Sequence, residues 1–158
     1  MPILKIITQP NPILRKKSVE INPKITKTLD FKTLISAMAK TMIKTDGVGL
    51  AAPQIGKNIR LVVINSKNGV LCLINPKFTK KSWARELGQE GCLSIPGIFG
   101  VVKRHKKVSL TYYDQDGKKI KLTAEGMMAR VIQHEVDHLD GILFIDKASA
   151  VEKVQNDK

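Results

Sequence analysis

The sequence predicts an α+β fold in which antiparallel-rich β-sheets wrap around a central helix carrying a metal motif. Three observations predict it. Short runs of two-residue alternation fill the middle of the chain. A helical stripe precedes them, and a second helix follows that carries H-E-x-x-H as His134, Glu135 and His138.

The first helix is expected over residues 25–44. Ile35, Met38, Ala39 and Met42 recur at i, i+3, i+4 and i+7, Ile43 widens the stripe, and the methionines read as core filler. Asp46-Gly47 ends that helix. Residues 60–65 and 70–75 are β-branched and bounded by turn residues, hence strands. Val108, Leu110 and Tyr112 alternate with polar residues, as do Ile120, Leu122 and Ala124. Asp116-Gly117 between these runs is a hairpin signal. The last helix runs from Glu125 or Gly126 to Asp140, and Gly141 closes it.

A chain of 158 residues without internal repeats or low-complexity linkers fits one domain. Its apolar stretches are strand-length, far short of the ~20 residues that span a bilayer. Gln9-Pro10-Asn11-Pro12 interrupts anything resembling a signal core. The expectation is a cytoplasmic protein with no membrane partner. Its two cysteines make no disulfide framework, and a reducing compartment suits a thiolate ligand. A net charge of +13, spread along the chain, favours encounters with polyanions such as ribosomal RNA. Aromatics are only 4%, too few for a base-stacking platform, so transient ribosome contact is expected but no reading of a specific nucleic-acid sequence.

The H-E-x-x-H spacing carries the chemistry. Side chains four apart share a helix face, so His134 and His138 can grip one ion while Glu135 lies beside it to work on a water. Catalytic centres of this type take a third protein ligand and keep one position open. In the metzincin pattern the third ligand would fall on Phe144, which cannot bind metal. A thermolysin-like ligand would have to be Glu152, far out in a polar segment. The remaining candidates lie upstream: His105, Cys72 and Cys92. His105 sits in the basic cluster KRHKK, and Cys72 in the apolar run VLCLIN. Cys92 is favoured by its setting, EGCLSIPG, where Gly91 permits close approach and Pro96-Gly97 turns the chain.

Three segments together, GVGLAAPQ at 47–54, EGCLS at 90–94 and QHEVDHLDG at 133–141, resemble the peptide deformylase family in identity and order. The resemblance covers residues 1–147, read as a single catalytic domain, and leaves 148–158 as a short polar C-terminal tail. It implies removal of the N-formyl group from the initiator methionine of nascent polypeptides, with formyl-methionyl peptides as partners. It further implies Cys92, His134 and His138 as metal ligands, and Glu135 as the acid–base residue. The Gln54 side-chain amide and the Leu93 backbone N–H are implied as oxyanion donors. The substrate is expected to lie as an added strand beside Val48 and Gly49, with Glu90 and Gly91 framing the opposite edge. Val48, Met127 and Val131 are implied as walls of the methionine pocket. Fe(II) is the implied native ion, with Zn(II), Ni(II) or Co(II) as substitutes. Val101 and Phe99 stand where many relatives carry a glutamate or an arginine, so preference beyond methionine does not follow from the resemblance. The chain stops after KASAVEKVQNDK, where many bacterial members run on into a long basic helix.

Two other readings compete. One is an H-E-x-x-H endopeptidase, against which Phe144 and the EGCLS segment argue. The other is a non-enzymatic RNA- or ribosome-binding module with a structural metal. Structural sites are filled by four protein ligands, and Glu135 would then have no task.

Overall fold

The computed structural model describes residues 2–154. Helix α1 spans Leu29–Lys44. Strands β1 (Gly49–Ala51), β2 (Leu61–Ser66) and β3 (Gly69–Lys81) follow it. Next come β4 (Arg85–Cys92), β5 (Ile95–His105), β6 (Lys107–Tyr113) and β7 (Lys119–Glu125). Helix α2 (Gly126–Leu139) and β8 (Ala148–Lys153) complete the order. All ladders are antiparallel, in a five-stranded sheet β1-β2-β3-β6-β7 and a three-stranded sheet β4-β5-β8.

Alternation along β2 explains how the larger sheet sits between the two helices. Val62 and Ile64 point to one face and pack with Leu73, Leu110, Ile132, Val136 and Leu139, which buries α2 against the sheet. Leu61 and Val63 point to the other face and pack with Phe31, Ile35, Met38 and Met42 of α1. A strand apolar on both faces is therefore what places α2 at the centre. Leu14, Ile95, Val102, Leu143 and Phe144 form a third cluster under the small sheet.

The expected α+β architecture is what the chain adopts, with several differences in detail. Helix α1 begins at Leu29, not at 25. The Thr28 hydroxyl accepts from Phe31 N at 3.3 Å and caps it, while Pro23–Lys27 forms a separate 3-10 turn. The expected Asp-Gly hairpin is a three-residue loop, 115–117. Gly117 N donates to Asp114 O, the Asp114 carboxylate receives two backbone N–H bonds, and Gly117 lies at φ 79°. Strand β3 runs six residues beyond 75, past Asn75 at φ 50° and two irregularities in its ladder with β6. The segment read as a polar tail from 148 is strand β8 through Lys153, paired with β5; residues 155–158 lie outside those described.

The end of α2 is built as expected, and the geometry gives the reason. Ile142 N bonds to Asp137 O at 2.9 Å and Gly141 N to His138 O at 3.2 Å, which is a Schellman closure with Gly141 at φ 73°. A side chain at 141 would also run into the Arg15 backbone. Glycine there lets the chain leave the helix one turn after the metal motif.

Candidate active site

Helix α2 presents His134 and His138 one turn apart. Cys92 arrives from the end of β4, just before the turn that leads into β5. The three donor atoms all lie within 4.8 Å of one another, and Cys92 Sγ is 3.3 Å from His138 Nε2. Bond lengths of about 2.3 Å to sulfur and about 2.1 Å to nitrogen would place tetrahedral ligand atoms roughly 3.6 Å apart. The cluster therefore fits one ion.

The protonation pattern fits it too. Burial, then the charges of His134 and Arg104, push His138 well below its ordinary value. It is thus a neutral ring whose Nε2 lone pair faces the sulfur. Its Nδ1 is buried without a hydrogen-bond partner. His134 Nδ1 lies 2.8 Å from the Glu90 carboxylate, which fixes the ring and leaves Nε2 for an ion. Burial disfavours a charged His134, but hydrogen bonds with Cys92 and Glu90 outweigh it and raise the ring to about 10. An ion held by Nε2 would take the place of that proton.

The other two third-ligand candidates are elsewhere. Cys72 is buried under α1, and burial, followed by the Asp114 charge, pushes its thiol up to about 12. His105 Nδ1 is 2.6 Å from Ser82 O at another corner of the molecule. Phe144, at the metzincin position, stacks on His134 with ring centroids 6.1 Å apart.

A cleft of about 460 Å³ opens beside the cluster. Its lining includes Val48, Gly49, Gln54, Glu90, Gly91, Cys92, Leu93, Met127, Val131, His134 and Glu135, so every expected site residue borders it except His138, which lies buried behind. One wall is β1, the edge of the large sheet, and the other is β4, the edge of the small one. Val48 and Met127 are more than half exposed on the rim, while Val131 is buried.

Glu135 is buried, with Oε2 unpartnered. Burial raises its carboxyl to about 7, His134 opposing and Glu90 adding; a nearby dication would draw it back down. A Cβ on Gly49 would sit 2.7 Å from Glu135 Oε1. The absence of a side chain at 49 is therefore required by the glutamate itself, a reason the sequence did not reveal. Gln54 follows β1 on a 3-10 turn. Its Oε1 accepts from Ala51 N at 2.9 Å, which aims Nε2 at Ser94 Oγ, 3.2 Å away, and toward Cys92 Sγ at 3.6 Å. Leu93 occupies the β4–β5 turn at the cleft wall.

Glu90 borders the cleft as expected and does something further. Its carboxylate is turned inward, 7% exposed, and bonds Arg104 twice at 2.9 Å, Arg130 at 2.7 Å and His134. Burial opposes its charge, yet Arg104 and His134 hold the carboxyl far below the usual range. The Glu90 carboxylate thus holds the His134 ring, while the residue still borders the cleft. Arg104 also pairs with Asp137, and Lys147 joins at 3.0 Å. Sequence reasoning missed Arg104, Arg130 and Asp137. Arg104 lies inside KRHKK, where the alternation of β5 alone could have marked it as inward-facing with Val102.

A family model described as polypeptide deformylase matches residues 3–154. The peptide deformylase of Syntrophomonas wolfei is 47% identical over 151 residues, covering 94% of this chain and 95% of the relative. The crystal structure of peptide deformylase from Thermotoga maritima matches at a TM-score of 0.90 and 38% identity, covering 95% of this chain and 100% of that one. A peptide deformylase from Synechococcus elongatus, crystallised with actinonin, gives 0.88 and 39% identity over 95% of this chain and 81% of its own.

Proposed function

This chain belongs to the peptide deformylase family, hydrolases that remove the N-formyl group from nascent polypeptides, and we propose that it does so through Cys92, His134, His138, Glu135, Gln54 and Leu93. The observation that carries the assignment is the meeting of one thiol and two imidazoles beside an unpartnered, buried glutamate at the floor of an open cleft.

Cys92, His134 and His138 would hold one divalent ion, which when bound acts as a Lewis acid and makes water nucleophilic near neutral pH. Glu135 takes a proton from the water that attacks the formyl carbon, then delivers it to the departing amine, so formate and a free N-terminus leave. The Gln54 amide, which lines the cleft beside Cys92, and the Leu93 N–H on its turn donate to the developing oxyanion. Losing one such donor costs roughly 2.7–4 kcal/mol in the barrier. The edges of β1 and β4, each the last strand of its sheet, suit a peptide laid between them as an added strand. Val48, Met127 and Val131 give the methionine side chain apolar walls.

For the ion, one thiolate with two imidazoles suits a borderline-soft dication, and Fe(II) is the native choice we propose from the family resemblance. Zn(II), Ni(II) and Co(II) would bind the same donors. We read the chain as one catalytic domain, carried through β8 and not ending at 147. No helix among the described residues is long and apolar enough to cross a membrane. We place the enzyme in the cytoplasm, where formylated chains are made and thiols stay reduced, with its net charge of +13 drawing it to the ribosome.

The test is anaerobic formate release from a formyl-Met peptide by wild type and Glu135→Gln. The variant should keep one equivalent of metal and lose turnover by at least a hundredfold. Retained turnover would remove Glu135 from the proton path. Actinonin should compete with the peptide if the cleft is the substrate site.

A further inference from the structure

A second cleft, about 320 Å³, shares no lining residue with the first. It is strongly basic. Lys81, Arg85 and Lys103 line it, and none of the three has an ion-pair partner among the described residues; Lys81 only rests over the Phe78 ring at 4.7 Å. The acid within it, Asp137, is already held by Arg104 and Lys147.

Between Lys81 and Arg85 in the chain stands Trp83, the one tryptophan of the sequence, 98% exposed in the turn between β3 and β4. A tryptophan left wholly in water is unusual, since its apolar surface is large. The turn that carries it is pinned. Ser82 N bonds to Lys107 O at 2.8 Å, Ser82 Oγ receives Lys107 N and donates to Ala84 O, and Ser82 O meets the His105 ring. Lys106 N bonds to Ala84 O at 3.0 Å, closing the turn against the β5–β6 corner. The indole is thus presented on a fixed base, two residues from Lys81 and two from Arg85.

We propose that Trp83 and this cleft form an RNA-binding surface, in which the indole stacks on an unpaired base while Lys81, Arg85 and Lys103 contact backbone phosphates. An acidic protein surface would satisfy the cations but leave the indole in water. A purely apolar partner would strand three charges. A chain of phosphates carrying exposed bases satisfies both. This gives the general attraction of a basic protein a definite location, and because the two clefts are separate it leaves the peptide site open.

The lone tryptophan supplies the assay. A synthetic RNA stem-loop with an eight-nucleotide unpaired loop is titrated into the full-length, metal-loaded protein while tryptophan emission is read. Labelled RNA is then followed by anisotropy for the variants. Emission should be quenched on binding. Trp83→Ala should weaken affinity at least fivefold. The triple variant K81E/R85E/K103E should weaken it further and lower the salt slope by about 2, at about 0.7 per phosphate. A charge-matched control, K16E/K24E/K57E, should change affinity far less. Formate release from a free formyl-Met peptide should be unchanged in all variants, which shows that they fold and separates this surface from the deformylase assignment. Equal weakening by the control triple, or no change in emission, would overturn the proposal. So would binding of polyglutamate as tight as RNA, or a Trp83-dependent dimer seen by sedimentation.

Discussion

Replacing Glu90 by Gln tests whether a buried carboxylate bonded to His134 sets the proposed metal centre. The change keeps shape and removes charge. In the native protein one buried carboxylate accepts four charge-assisted bonds, from Arg104 Nε and Nη2, Arg130 Nη1 and His134 Nδ1. A carboxamide offers one acceptor oxygen, and its NH2 group would face donors. Arg104 retains Asp137, but Arg130 retains only the carbonyls of Val102 and Glu86. One buried guanidinium is left without a counter-charge. Breaking a buried pair this way costs about 3–5 kcal/mol. At roughly 2–4 °C per kcal/mol for a chain of this size, Tm should fall by about 6–20 °C. His134, freed to rotate and less basic, should bind metal about 10–100-fold more weakly. Differential scanning calorimetry and chelator competition measure the two effects. A Tm within 2 °C of wild type together with metal affinity within twofold would refute the reasoning.

Gly49→Ala places a methyl where Glu135 lies, while Gly49 is not among the positive-φ glycines, so the fold should survive. We expect kcat to fall about a hundredfold with metal content unchanged, by formate assay and elemental analysis. Thiol labelling at pH 8 should count none rapidly in the metal-loaded protein, one after chelation (Cys92) and two after denaturation. Two after chelation alone would contradict the burial that holds Cys72 near 12. The hydrogen bond from Arg15, ahead of an opposing desolvation, lowers the Asp146 carboxyl. Their ion pair therefore adds stability above the unfolded carboxylate value of about 3.9, and that stability is lost as pH falls through the folded one. Between pH 5 and 3, Tm should drop less steeply in Arg15→Met than in wild type; parallel curves would count against it.

Much of this fold could be read from the chain because its signals are local. Strand β2 is apolar on both faces and bounded by turns. Helix α2 has its motif, its stripe and Gly141, and the Cys92 segment carries glycines and a turn. What escaped depends on partners distant in sequence. Arg104 looks like one cation among four in KRHKK until Glu90 and Asp137 arrive from β4 and α2 to neutralise it. Strand β8 keeps most of its side chains in water and is held by pairing with β5, so it shows no alternating apolar signal. The start of α1 was misplaced because Thr28 reads as an ordinary helical residue until its hydroxyl is seen to cap the helix.

X-ray absorption on the anaerobically metal-loaded protein asks the central question directly. One sulfur near 2.3 Å, two imidazole nitrogens near 2.1 Å and one light-atom position that changes when actinonin is added are predicted, from about the usual bond lengths. A shell without sulfur, with two sulfurs, or with four protein ligands and no response to actinonin would contradict the account.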